Sequence, residues 1–230
     1  NPADGEAYYN LGLCLRHLGR DDEAYDAFYK SVWNQTWQSA AYHALAEIDC
    51  CRKNWTQADE HLSRVLSYPA QNLRATNLYG LVCRERGNAA GATAVWSLVA
   101  SADRLDWWNR YLRGEKLTCD LQTALDIAHD FTRAGFFHKA IELLQTTRFE
   151  AGDLPDQSWG AQPLVAYTLG WLHEKIYNKK SALKFFQQAA ALPSDYCFPA
   201  RLEEIVILEA AMRVNPRDAR APYYLGNLLY

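Results

Sequence analysis

Small residues recur in fixed phase along this chain, and no other feature restricts the fold as much. Gly12, Ala46 and Gly80 lie 34 positions apart, and Ala24, Ala58 and Ala92 repeat at the same interval. The clearest copy is residues 7–32, AYYNLGLCLRHLGRDDEAYDAFYKSV. Tyr8, Leu11, Leu15 and Leu18 fall at i, i+3, i+7 and i+10, which predicts one apolar stripe of a helix; Ala24, Phe28 and Val32 mark a second. Gly19 separates the two helices, and Asp21 and Asp22 are placed to cap the second one and to complement its positive end.

The second copy carries Tyr42, Leu45, Ala46, Ala58 and Leu62, and the third Tyr79, Gly80, Gly87, Ala92 and Trp96. A fourth follows at Ile127, Ala128, Phe131, Gly135, Ala140 and Leu144, and a fifth at Leu169, Gly170, Ala182, Phe186 and Ala189. The spacing lengthens here, to 48 between Gly80 and Ala128 and 42 between Ala128 and Gly170. A sixth copy starts at Tyr223, Leu225 and Gly226. The paired small residues let two helices approach closely, while Leu, Phe or Trp fills the groove beside them. No single unit buries both of its faces, so the units must stack.

The order aromatic, Leu-Gly, turn Gly, Ala-x-x-x-Phe resembles the tetratricopeptide repeat, whose period is about 34 residues. The resemblance implies an all-α fold, a right-handed α-solenoid of antiparallel helix pairs, with about five full units. Their expected bounds are 5–38, 39–72, 73–102, an insertion at 103–120, 121–147, a loop at 148–162, 163–194, an extra helix at 199–214 and a truncated sixth unit at 219–230, all in one superhelical domain. Thr56 is expected to cap the second helix of the second unit, and Pro69 to close it.

Within the insertion, Trp107, Trp108, Tyr111 and Leu112 read as an extra helix plugging the gap before the fourth unit, or else as an aromatic anchor for a partner. The loop contains Gly152, Pro155, Trp159 and Gly160 and is long for its context. Residues 199–214, PARLEEIVILEAAMRV, read as one amphipathic helix with Pro in its first turn and Leu202, Ile205, Leu208, Ala211 and Met212 on one face. It has no obvious partner helix. The chain starts in what reads as a repeat linker, Asn1-Pro2, and stops at Tyr230 in mid-helix, so a piece of a longer protein is expected. Its Leu225, Leu228 and Leu229 stripe is then expected to be covered by self-association or to fray.

Apolar residues make up 49% of the chain, with eight Trp and fourteen Tyr, ample for a core. A net charge of −3 and the absence of a basic run remove the basis for nonspecific nucleic-acid binding. No apolar stretch is long enough to span a membrane. The six cysteines form no CxxC pair and have no zinc-like His spacing, so they are read as structural, with Cys14 and Cys83 on core stripes; a reducing, cytoplasmic setting is expected. HExxH, GxSxG, Walker-type and GxGxxG motifs are absent. Asp21-Asp22 and Glu203-Glu204 have ready structural roles. Neither catalysis nor a metal or other cofactor is expected.

In this family the first helices line a concave groove. Carried over by register, the groove face holds Tyr9, Leu13, Arg16 and His17; His43, Glu47 and Cys50; Asn77, Arg84 and Glu85; Leu125, His129 and Arg133; and Tyr167, Trp171, Glu174 and Lys175. The family's clamp for a C-terminal carboxylate uses Lys and Asn. Tyr9, His43 and Asn77 stand at the leading positions here, so that clamp is not preserved. The resemblance implies a non-catalytic scaffold that binds a protein or peptide partner. The ending DARAPYYLGNLLY and the Trp-rich insertion are also similar to long bacterial chains in which a mutarotase-like β-sandwich precedes such repeats, which would instead place this region against a carbohydrate-related domain of the same chain.

Overall fold

The structure, a computed structural model, describes residues 4–68, 72–146 and 160–230. Among these there are thirteen α-helices and no strand. They are α1 (Gly5–His17), α2 (Asp21–Ser31), α3 (Gln38–Cys51), α4 (Trp55–Leu66), α5 (Leu73–Glu85), α6 (Ala89–Ala102), α7 (Trp107–Leu112), α8 (Leu121–Arg133), α9 (Phe137–Thr146), α10 (Gln162–Lys175), α11 (Lys179–Ala191), α12 (Glu203–Val214) and α13 (Arg220–Leu229). The packing divides into two compact units: residues 1–117 with 133–135, and residues 118–132 with 136–230. The expected bounds for Asn1-Pro2, Pro69 and 148–159, including Trp159, fall outside the described residues.

One turn recurs through both units. At the end of α1, Arg20 N–H donates to Leu15 C=O and Gly19 N–H to Arg16 C=O, with Gly19 at φ 71°. This Schellman pair satisfies carbonyls that the helix end would otherwise leave orphaned. The same bonds close α3 at Asn54 and Lys53, α5 at Asn88 and Gly87, and α10 at Asn178 and Tyr177. The chain thereby doubles back, and the second helix lies against the first.

The crossing points are as tight as the sequence requires. A methyl group added to Gly80 would sit 2.1 Å from Trp96 Nε1, and one added to Gly170 2.6 Å from the Phe186 ring. Ala24, Ala58 and Ala140 are fully buried, and Ala92 and Ala182 nearly so. Trp96 Nε1 donates to Asn77 C=O, so its indole is held by a hydrogen bond as well as by packing.

The insertion proves to be a shortened first helix. α7 ends with the same turn, Glu115 N–H to Arg110 C=O and Gly114 N–H to Tyr111 C=O, with Gly114 at φ 86°. It packs on α5 and α6 and buries Trp108, Asn109 and Leu112. Asn109 Nδ2 donates to Asn77 Oδ1 and to Trp96 C=O, at 2.9 and 3.1 Å. Trp107 is half-buried with the Arg110 guanidinium 4.1 Å from its ring.

Several local expectations are corrected. Leu11, Leu18 and Cys14 are exposed, because the buried face of α1 is centred on Gly12 and Leu15 and only the edge of the expected stripe is turned inward. Cys51 is exposed too, while Cys50, Cys83, Cys119 and Cys197 are buried. Thr56 lies inside α4, whose cap position is Asn54. α12 begins at Glu203, not at Pro199, because the Glu204 carboxylate reaches back to accept from the N–H groups of Ala200 and Arg201 at 2.7 and 2.9 Å. Its buried face is Glu204, Ile207, Leu208, Ala210 and Ala211, leaving Leu202 and Met212 exposed. Nor does α12 lack a partner: it forms a hairpin with α13, whose Tyr224 is buried against Tyr167 at 6.0 Å.

Glycine-to-alanine changes should therefore have opposite signs at two helical sites. Gly80→Ala forces the Trp96 indole aside and is expected to destabilise by about 1–3 kcal/mol. Gly226 has nothing within 4 Å of an added methyl, so Gly226→Ala should stabilise by about 0.5–1 kcal/mol. Urea denaturation of the two variants beside the wild type checks the pair.

Candidate functional site

The first-helix residues expected to share one face are distributed among three environments. In the first unit, Arg16, His43, Glu47 and Arg133 converge on a single carboxylate. Arg16 donates to Glu47 Oε2 and to the Arg133 carbonyl, Arg133 Nε lies 3.5 Å from Glu47 Oε1, and His43 Nε2 lies 3.7 Å from it. Burial opposes ionisation of Glu47, but Arg16, His43 and Arg133 outweigh it and hold the carboxyl below the usual range. Burial lowers His43, against the pull of Glu47. Tyr9 packs on Trp37 and Phe28 beside this group, at 5.0 and 5.6 Å, and its phenol is pushed up by burial and by Glu47.

A second set is enclosed. Asn77 is fully buried because α7 covers it: its Nδ2 donates to both Asp106 carboxylate oxygens at 3.2 Å. Tyr167 is fully buried, its hydroxyl donating to Asp218 Oδ2 at 2.7 Å. His129, Leu125 and Cys50 are buried as well. His17, Arg84 and Glu85 are exposed, Leu13 is half-buried, and the Arg84 guanidinium lies 4.5 Å from the Trp96 ring.

Trp171, Glu174 and Lys175 make up the third set, and they line a cleft of about 760 Å³ in the second unit. α10 packs against both α11 and α12, and the cleft lies along these helices. α11 and the turn before it contribute Ala182, Lys179 and Tyr177; α12 contributes Val206, Glu209, Ala210, Arg213 and Val214. Trp171 is set edge-on to Phe137 at 6.2 Å, and Lys175 Nζ lies 5.1 Å from its ring centroid. Arg213 donates to Glu174 Oε1 at 2.7 Å, joining α12 to α10 across the cleft. The cleft thus offers an apolar wall, two aromatic side chains and three cations against two carboxylates.

Two groupings lie outside the sequence expectation. The α12 side of the cleft follows no repeat phase, so register could not find it; Tyr177 stands where the turns after α1 and α5 carry glycine and the turn after α3 carries Lys53, a signal visible in the chain. The other grouping surrounds His61, whose Nδ1–H donates to Asp49 Oδ2 at 2.8 Å, which leaves Nε2 to accept from the Tyr29 hydroxyl at 2.9 Å. Tyr42 stacks on His61, and the Tyr25 hydroxyl donates to Asp49 at 3.2 Å. Both ring nitrogens are satisfied, so this set binds α2, α3 and α4 to one another.

Residues 1–41 match the family described as tetratricopeptide repeat. Beyond that segment, both units are built from helical hairpins of the tetratricopeptide type. The hairpins, their recurring turn and their small-residue crossings carry that repeat beyond the matched segment. Among solved structures the array is similar to MamA, from residue 41 to its end, of Desulfovibrio magneticus RS-1 (15% identity, 81% of this chain and 93% of that one, TM-score 0.43). It is also similar to YrrB, described as a TPR protein with an unusual peptide-binding site (13%, 97% and 92%, 0.44). A third is a TPR repeats protein from Bacteroides fragilis NCTC 9343 (15%, 99% and 98%, 0.40). No curated protein matches the chain. Among the described residues no helix of the array is long and apolar enough to cross a membrane, and no group of three or more His, Cys, Asp or Glu is placed to hold a metal ion.

Two predictions separate support from recognition in the repeats. Glu47→Gln leaves Arg16 largely buried without its counter-charge and should cost about 3–5 kcal/mol, most of it recovered in the Arg16→Met/Glu47→Leu double variant, as read by urea midpoints. The second concerns His173, which is buried, stacked on Phe185 at 5.2 Å, and has no hydrogen-bond partner at either ring nitrogen. Burial, and secondarily His138, holds it below its ordinary value. The unfolded chain then takes up the proton first, so stability present at neutral pH falls as pH drops below about 6.5 and continues to fall until the folded state protonates too. His43 shifts the same way. His173→Phe should therefore remove part of the loss between pH 7.5 and 5.5 in thermal melts; an unchanged loss would show that this histidine does not contribute.

Proposed function

We propose that this chain is a non-catalytic interaction scaffold that holds a peptide segment of a protein partner in the cleft of the second unit. The observation that carries the reading is the open cleft itself, where an aromatic face, an aliphatic wall and charges of both signs converge on one concave site. A tetratricopeptide-type array supports a scaffold role, and the site supplies the rest. Arg16, Glu47 and Arg133 are largely spent on one another, and Asn77, His129 and Tyr167 are enclosed. In this reading they hold the helices in place, and recognition falls to Trp171, Glu174, Lys175 and the residues facing them from α12.

Val206 is half-buried on the cleft wall, so a larger side chain there fills the cleft from one side. Affinity capture with the wild-type chain and with Val206→Trp, at matched melting temperature, is expected to show proteins retained by the first and lost by the second. Identical sets from both would place binding elsewhere.

A further inference from the structure

The turn that enters α11 departs from two local preferences at once. At the left-handed position of this turn, α1 and α5 are followed by Gly19 and Gly87, at φ 71° and 80°, and α3 by the unbranched, flexible Lys53, at φ 58°. After α10 the same position is Tyr177, at φ 61°. An L side chain adopts that backbone only against steric cost, and a bulky ring gains nothing from it here, because Tyr177 is 90% exposed. Immediately beyond, Lys179 and Lys180 open α11 at its positive end, whereas α2 opens with Asp21, Asp22 and Glu23. Neither choice helps the hairpin to fold. Such departures from local preference collect where a chain is selected for something other than stability.

Both departures point to one place. Tyr177 and Lys179 line the cleft, and Lys175 stands beside them at the end of α10. Across from them, Val206, Ala210 and Val214 form an i, i+4, i+8 apolar stripe along α12. Arg213 is already engaged by Glu174, which leaves Lys175 and Lys179 against the single carboxylate of Glu209. The lip of the cleft is therefore aromatic and positively charged.

We infer that this lip selects the partner, and that the cleft takes an acidic peptide segment bearing one large apolar side chain. The side chain packs between Trp171, Tyr177 and the α12 stripe. Flanking Asp or Glu residues meet Lys175 and Lys179. The inference rests on the peptide-binding reading of the cleft given above and deepens it.

A displayed library of random dodecapeptides, selected in parallel on the whole wild-type chain and on Val206→Trp, tests both. The expected result is enrichment on the wild type alone of sequences with Asp or Glu flanking an aromatic or large aliphatic residue. The best of these, fluorescein-labelled, should bind about tenfold or more weakly to Tyr177→Gly and to Lys175→Glu/Lys179→Glu, and more weakly as salt is raised. Tyr177→Gly should meanwhile melt at the wild-type temperature or about 2–4 °C above it. Enriched peptides that are basic or uncharged, or an undiminished affinity of Tyr177→Gly, would overturn the assignment of the lip while leaving a peptide cleft standing. A fall in the Tyr177→Gly melting temperature would also overturn it, by showing that the ring serves the fold. Equal enrichment on both chains, or on neither, would overturn the peptide-binding reading itself.

Discussion

Everything in this molecule depends on two helices approaching so closely that only a hydrogen atom or a methyl group fits between one backbone and the ring opposite. Gly80 under Trp96 and Gly170 under Phe186 are the clearest cases. Because the ring fills the space that a side chain would have taken, the contact is apolar, dense and intolerant of added volume. The Schellman turn makes the contact possible by returning the chain at a fixed angle with its carbonyls satisfied. Position and turn are therefore selected together, which is why they recur in phase while the residues between them vary.

That coupling explains how much could be read from the sequence. Helix pairs, their small-residue crossings and most of their turns follow from the spacing of Gly12, Ala46, Gly80 and their successors. Where a helix is defined by one particular contact and not by its apolar period, the sequence misled. The start of α12 is set by Glu204 reaching back to two N–H groups, an arrangement that the apolar periodicity of residues 199–214 conceals. The face of α1 is chosen by its approach to α2 through Gly12, so Leu11 and Leu18 remain in solvent despite their helical spacing.

The candidate site was legible only on one side. Register places Trp171, Glu174 and Lys175 on the exposed face of α10, and they do line the cleft. It also groups Asn77, His129 and Tyr167 with them, since a periodic pattern cannot know what later segments cover. Asn77 is covered by α7, and Tyr167 meets Asp218 and Tyr224. The opposite wall, from Val206 to Val214, lies outside the repeat phase. Charged residues on a first-helix face are thus divided between holding neighbouring helices and meeting solvent, and the buried carboxylate of Glu47, held by Arg16, shows the first role.

α7 is six residues long and ends as a full first helix does, with its own glycine turn. A repeat can be pared down to its opening arm and still retain the contact that matters to the hairpin before it. What such a stump supplies is closure: Asp106 and Asn109 saturate the amide of Asn77, and Trp108 and Leu112 shield the apolar surface of α5 and α6 that a complete neighbour would otherwise have to bury. The chain is then free of the 34-residue rhythm from that point on, which is where its spacing begins to change.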